Sequence, residues 1–145
     1  MKSLASIRRR RSERGAAQIE FALTLMLVML LIFFIWEMCM IVYAYTALSG
    51  AANEGLRYAM VHGTPAGCAT DTATLIADTK THVVDYAKFS LQKITADNVT
   101  VTFPDGSCAA PNRVTISISY TYVPFTRFFT TVPTLRAYAE GRVVF

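Results

Sequence analysis

From Phe21 to Trp36 the chain runs through sixteen residues in which Thr24 is the one polar side chain and nothing is charged. A run so apolar and so free of charge predicts a membrane-spanning helix. No proline occurs before Pro65. One helix can therefore continue from Ala16 to about His62, roughly 70 Å at 1.5 Å per residue. Its pattern changes on the way. Leu48, Ala52, Leu56 and Ala59 form an apolar stripe, while Ser49, Asn53 and Arg57 fall on another face, as in a helix with one side buried and one wet. Ala44, Ala47, Gly50, Ala51 and Gly55 are small enough to let another backbone come close, whether from the protein's own sheet or from a helix of another subunit.

Gly63-Thr64-Pro65-Ala66-Gly67 ends this helix with two kinds of breaker. A second helix is predicted from Asp71 or Thr72, with Asp71 as cap, to about Phe89. Its inner face is Leu75, Ile76, Thr79, Val83, Tyr86 and Ala87; Asp78, Thr81, Asp85 and Lys88 lie outside, and His82 can pair with Asp78 one turn earlier. The period then becomes two. Val99, Val101 and Phe103 alternate with threonines, and Val114, Ile116, Ile118, Tyr120 and Tyr122 alternate with Thr115, Ser117, Ser119 and Thr121. A third strand from about Leu135 to Phe145 turns Leu135, Ala137, Ala139 and Val143 inward. Pro104-Asp105-Gly106 is a turn in which Pro fixes φ and Gly accepts a positive one. Pro124 to Thr134, with Phe125, Phe128, Phe129 and Val132, is either a plug for the end of the sheet or a membrane- or partner-binding patch.

Charge orients the span. Lys2, Arg8, Arg9, Arg10, Arg11 and Arg14 precede it against one acid, Glu13, which is the placement that holds a flank in the cytoplasm. The net charge of +4 belongs to this leader, since residues 16–145 carry eight basic groups and nine acids. A nucleic-acid partner is not expected, and the Arg run reads as a topological signal. Glu20 and Glu37 stand about 26 Å apart along a helix, close to the hydrocarbon thickness, so the two acids are expected to bracket the bilayer core. Trp36, Tyr43 and Tyr45 then fall at or just beyond the outer interface, with Glu37 expected to be solvated there, the alternative being that it pairs within a filament.

Glu20 is physically expensive, because an ionised carboxylate in hydrocarbon costs on the order of 3 kcal/mol even on lenient scales. A cut between Gly15 and Ala16 would create an ammonium group four residues before it, on the same helix face, in its own chain or a packed neighbour. A basic leader, a Gly, and a Glu as fifth residue of the following helix resemble the processing site of type IV pilins and pseudopilins, which a prepilin peptidase cleaves after the Gly. Ala16-Ala17-Gln18-Ile19-Glu20-Phe21-Ala22-Leu23, taken with Ala44 to Gly63, resembles the TadE-like family, minor pseudopilins of tight-adherence (Flp-type) pilus systems. The resemblance covers roughly the first 60 residues. Phe directly after the cleaved Gly, usual in pseudopilins of type II secretion systems, is replaced here by Ala16.

The resemblance implies an α+β fold: a long N-terminal helix, transmembrane in its first half, a second helix, and a three-stranded antiparallel sheet packed on the helical layer. Periodicity alone allows other sheet orders. The implied division is a leader at 1–15, the transmembrane and continuing amphipathic helix at 16–62, and an extracytoplasmic head at 63–145. The implied role is non-catalytic: leader removal at Gly15 and Ala16, storage in the inner membrane, and subunit pairing through Glu20 and Phe21 during pilus assembly and adhesion. Its partners would be the prepilin peptidase, other pilin-like subunits, pilus assembly proteins of the inner membrane and the bilayer. The rival reading is a generic single-pass surface protein with a binding head. No nucleophile signature, phosphate loop, cofactor motif or grouped metal ligands accompanies His62 and His82, so neither enzyme nor cofactor is expected. Of three cysteines, Cys39 lies just past the span, and Cys68 and Cys108 lie where an oxidising compartment permits a bridge; the alternative is a pair of free, packed thiols.

Overall fold

The computed structural model describes the backbone of residues 2–64, 67–68, 72–124 and 132–144, and their side chains from Gly15 onward except at Thr64, Gly67 and Cys68. Helix α1 runs unbroken over Lys2–His62, so residues 2–15 continue the helix that the pattern started at Ala16. Arg, Leu, Ala and Glu, found in residues 2–14, are good helix formers. A single Gly costs only about 1 kcal/mol against Ala, too little for Gly15 to interrupt the helix. The chain divides into two compact units, residues 1–39 and 40–145.

In the first unit the apolar side chains are exposed all round the helix, from Ile19 to Trp36. That is the pattern of a helix whose solvent is not water. Glu37 departs from it, and from the expectation of a solvated interfacial acid, because its side chain is fully buried. Sequence fixes the depth of this residue along the helix but not the direction in which it faces. Trp36 stays exposed, as do Tyr43 and Tyr45 in the second unit.

The second unit holds the rest of α1, a two-residue hairpin of β1 (Gly63–Thr64) and β2 (Gly67–Cys68), helix α2 (Thr72–Ala87), a 3-10 turn at Ala96–Asn98, and strands β3 (Val99–Thr102), β4 (Arg113–Thr121) and β5 (Thr134–Arg142). β3, β4 and β5 form one antiparallel sheet in that order. The α+β arrangement expected from the resemblance is therefore present. The period-two residues Val99, Val101, Val114, Ile116, Ile118, Ala137 and Ala139 are buried on one face, against Leu48, Ala51, Ala52 and Ala59 of α1 and Val83 and Ala87 of α2. At Phe103 to Gly106 the turn closes with the Gly106 N–H donating to the Phe103 carbonyl (3.0 Å), and Gly106 takes φ 89°. Asp105 in this turn accepts the Arg113 backbone N–H at 2.8 Å and pairs with its guanidinium at 3.1 Å, fixing the start of β4.

Two side chains of α2 differ from expectation. Leu75, Thr79, Val83 and Ala87, spaced by four, form its buried stripe, and Tyr86 is left on the flank, about half exposed. His82 turns toward α1 rather than to Asp78: its ring stacks on Tyr58 (4.6 Å), which stacks in turn on His62 (3.9 Å). An aromatic neighbour on a packed helix offers more contact area than an exposed carboxylate one turn away. The Asp71 cap, and Phe125, Phe128 and Phe129 of the Pro124 to Thr134 segment, lie outside the described residues.

Candidate functional site

The segment Gly15 to Phe21 lies on one helical run, and its residues from Ala16 to Phe21 are exposed. A side chain at Gly15 would meet nothing within 4 Å, so the position is open on all sides. Its backbone is helical here, whereas a protease groove takes substrates in extended form. Opening one turn at a Gly is easier than at its neighbours, because Gly gains the most backbone freedom on leaving a helix. Thr24 Oγ1 donates to the Glu20 carbonyl at 2.8 Å, which turns the threonine inward on its own helix and keeps its hydroxyl satisfied in an apolar run. Glu20 forms no ion pair among the described residues. It shares a helix face with Ala16 at the i, i+4 spacing.

The small residues of α1 do their packing within the chain. Ala44 and Ala51 are buried, Gly55 is buried, and Ala47 is half-buried. A Cβ on Gly55 would run into Val83 Cγ2 of α2 and lie 3.1 Å from Ile116 Cδ1 of β4. Gly55 is thus the point where α1, α2 and the sheet come closest. On the sheet side the same closeness recurs at Gly141, where a Cβ would lie 2.8 Å from Met60 Sδ and 3.2 Å from Leu56 Cδ2. Ala44, Ala51 and Gly55 pack on the protein's own elements, while Ala47 and Gly50 stay partly exposed.

Cys39 is free and exposed, and Cys108 is buried with Thr72 Oγ1 3.7 Å from its sulfur. The Cys68 side chain lies outside the described residues. The backbones approach through a shared neighbour: Cys68 pairs with Gly63 in the β1-β2 hairpin, and the Cys108 carbonyl lies 2.7 Å from the place a Gly63 Cβ would take. Among the described residues no group of three or more His, Cys, Asp or Glu could hold a metal ion.

Sequence reading missed a groove of about 590 Å³, bordered by Met40, Tyr43, Lys93, Tyr120, Tyr122 and Pro124. Its floor is fixed by hydrogen bonds that the period-two pattern does not carry, from the Tyr120 hydroxyl to the Gln92 carbonyl (2.8 Å) and from the Tyr43 hydroxyl to Ser90 Oγ (3.2 Å). Partial burial raises the Tyr120 phenol above its ordinary value, so this donor stays protonated.

α1 from Gly15 to His62 is the one helix among the described residues long and apolar enough to cross a membrane, with a mean hydropathy of 2.7 over its most apolar window. The family model described as TadE-like protein matches residues 15–57. No curated protein and no solved structure matches the chain.

Proposed function

From the premise that residues 15–57 are a TadE-like segment, we propose that this chain is a minor pseudopilin, a non-catalytic subunit of a tight-adherence (Flp-type) pilus assembly system. The family ties the chain to Tad pilus systems, and the long apolar helix ties it to a membrane. The finer reading is that a prepilin peptidase cuts between Gly15 and Ala16 on the cytoplasmic side of the inner (plasma) membrane. The head stays outside, and other pilin-like subunits and assembly proteins draw the processed chain into pilus biogenesis and surface adhesion. One observation carries this: the family match opens at Gly15 and runs along the candidate span found among the described residues, with Glu20 on its exposed surface.

Phe21 and Glu20 face outward, so their partner is another chain or the bilayer. If the Glu20 carboxylate meets the Ala16 ammonium of an adjoining subunit, Glu20→Gln relieves the desolvation cost and deletes the partner. The expected result is normal insertion, a mature N-terminus at Ala16 by mass spectrometry, and loss of piliation and of pulldown with other pilin-like subunits. Met1 left intact beside an active prepilin peptidase would instead favour the generic surface anchor. Unchanged piliation in Glu20→Gln would remove the assembly role of that residue.

The Cys68–Cys108 bridge belongs to the same reading, since it requires an oxidising side of the membrane. Its support is that Cys39 is the free cysteine while Cys108 is disulfide-bonded, and that Cys68 stands opposite Gly63 in the hairpin with the Cys108 carbonyl against the same glycine. Closing so long a loop is worth about 4 kcal/mol in the chain-entropy model. Non-reducing peptide mapping of exported protein should recover the two peptides linked, and free alkylation of both thiols in native protein would refute the bridge.

A further inference from the structure

The ladder between β4 and β5 fixes which backbone groups of β5 are in use. In an antiparallel pair, residues that exchange both hydrogen bonds with the neighbouring strand alternate with residues whose N–H and C=O point the other way. At one end the Tyr122 N–H donates to the Pro133 carbonyl (3.0 Å), and at the other the Val143 N–H donates to the Asn112 carbonyl (2.9 Å). The register between those ends sets Tyr120 against Leu135, Ile118 against Ala137, Ile116 against Ala139 and Val114 against Gly141. The odd-numbered residues of β5 therefore bond to β4. Thr134, Arg136, Tyr138, Glu140 and Arg142 turn their backbone groups to the outer edge, and all five are exposed. β5 ends the sheet, and among the described residues no backbone hydrogen bond is made at that edge. At nine residues it is longer than the short edge strands that avoid pairing.

We propose that this edge pairs with β5 of a second copy of the chain, antiparallel and centred on Tyr138. Residues with free backbone groups must face one another, so even-numbered positions pair with even-numbered positions. Centring on Tyr138 overlaps the whole strand and sets Arg136 against Glu140 twice, Thr134 against Arg142 twice, and Tyr138 against its own copy. Centring on Arg136 or Glu140 instead puts like charges directly opposite, which is destabilising, and shortens the overlap. The interface is isologous, with a two-fold axis between the Tyr138 residues, and two three-stranded sheets become one. Arg136 enters no ion pair among the described residues and supplies the cation. Glu140 supplies the anion, already held in place by the Tyr138 hydroxyl (2.5 Å) and by Arg113 (3.6 Å).

Cysteine cross-linking of the full chain in its membrane tests both partner and register. In a Cys39→Ser background, which removes the free exposed thiol, Tyr138→Cys should give a disulfide-linked homodimer on mild oxidation, since paired Cα atoms lie about 5.5 Å apart. Thr134→Cys alone should stay monomeric, because its two copies would stand about 27 Å apart. A mixture of Thr134→Cys and Arg142→Cys chains should link. Adding Arg136→Glu to Tyr138→Cys should lower the dimer yield about tenfold, and adding Glu140→Arg as well should recover most of it. Tyr138→Cys giving no more dimer than Thr134→Cys, linking to a chain of another mass, or ignoring Arg136→Glu would each overturn the proposal.

Discussion

Leu27 and Leu48 belong to one helix, yet Leu27 is 66% exposed and Leu48 has no exposed surface at all. Around Leu27 the neighbours are Met26, Val28, Met29 and Leu30, large and apolar on every side. Around Leu48 they are Ala44, Ala47, Ala51 and Ala52, small on the side that meets the sheet. Both stretches would pass a test of hydrophobicity. The difference lies in size and periodicity: an all-round belt of large side chains needs an apolar medium, and a stripe of small ones needs a neighbour already built into the chain.

The largest expected effect breaks the comparison at these two leucines. Leu48→Ala should destabilise the head by about 2–5 kcal/mol, the cost of lost burial plus the cavity left between α1 and the sheet. Leu27→Ala makes the same chemical change where nothing of the head encloses it, and should leave head stability within about 0.5 kcal/mol. Urea titration of the full chain in detergent micelles, read by pulse proteolysis of the head, measures both. Equal losses would mean that the two stretches are stabilised by the same contacts.

Two glycines of α1 sharpen it next. Ala at Gly55 would drive a methyl into Val83, whose β-branched side chain has little rotamer freedom on a helix, with Ile116 just behind it. Overpacking of that kind costs about 1–3 kcal/mol, against a gain of at most about 1 kcal/mol in helix propensity, so Gly55→Ala should destabilise. At Gly50 the nearest atoms are on the Tyr86 ring at 3.8 Å, an ordinary contact. Gly50→Ala should therefore keep the propensity gain and stabilise by up to about 1 kcal/mol. Opposite signs in the same urea titration are the expected outcome; a stabilising Gly55→Ala would contradict the close approach of α1 to α2.

Much of this was legible in the residues. The switch from the Leu48, Ala52, Leu56, Ala59 stripe to the alternation at Val114, Ile116 and Ile118 marks helix and strand with different periods; β3 and β4 follow the predicted bounds within a residue, while β5 ends at Arg142, three residues before the predicted Phe145. What stayed hidden depends on direction and on distant neighbours. Glu37 is buried, and a carboxylate beside Trp36 reads as interfacial when only its depth is known. His82 stacks on Tyr58, 24 positions earlier, where local spacing offered Asp78. The open edge of β5 follows from hydrogen-bond parity, which depends on register with β4 and on nothing within β5 itself. Of the candidate site, the i, i+4 relation of Ala16 and Glu20 could be read directly, while the inward packing of Gly55 needed the sheet in place.

The smallest effect sharpens the contrast between a buried acid such as Glu37 and an exposed one. Asp105 lies in the turn before β4, where hydrogen bonds from the Arg113 side chain, and then from its backbone N–H, hold the carboxyl below the ordinary value of 3.8. A carboxyl depressed in the folded state binds fewer protons there than in the unfolded chain. Its stabilising contribution is complete above the ordinary value and is lost as pH falls through the folded one. Asp85, also lowered, first by its hydrogen bond to Lys88, contributes equally to wild type and to Asp105→Asn. The difference between those two proteins therefore isolates Asp105. Because the Asp105 and Arg113 side chains are 35% and 47% exposed, water and salt screen the pair, and the effect should be small and shrink further in high salt. Wild type should be the more stable above about pH 5, with its advantage over Asp105→Asn shrinking as the pH falls below the ordinary carboxyl value. Parallel stability curves across that range would show that the turn is held by its backbone geometry at Gly106 without help from the charge.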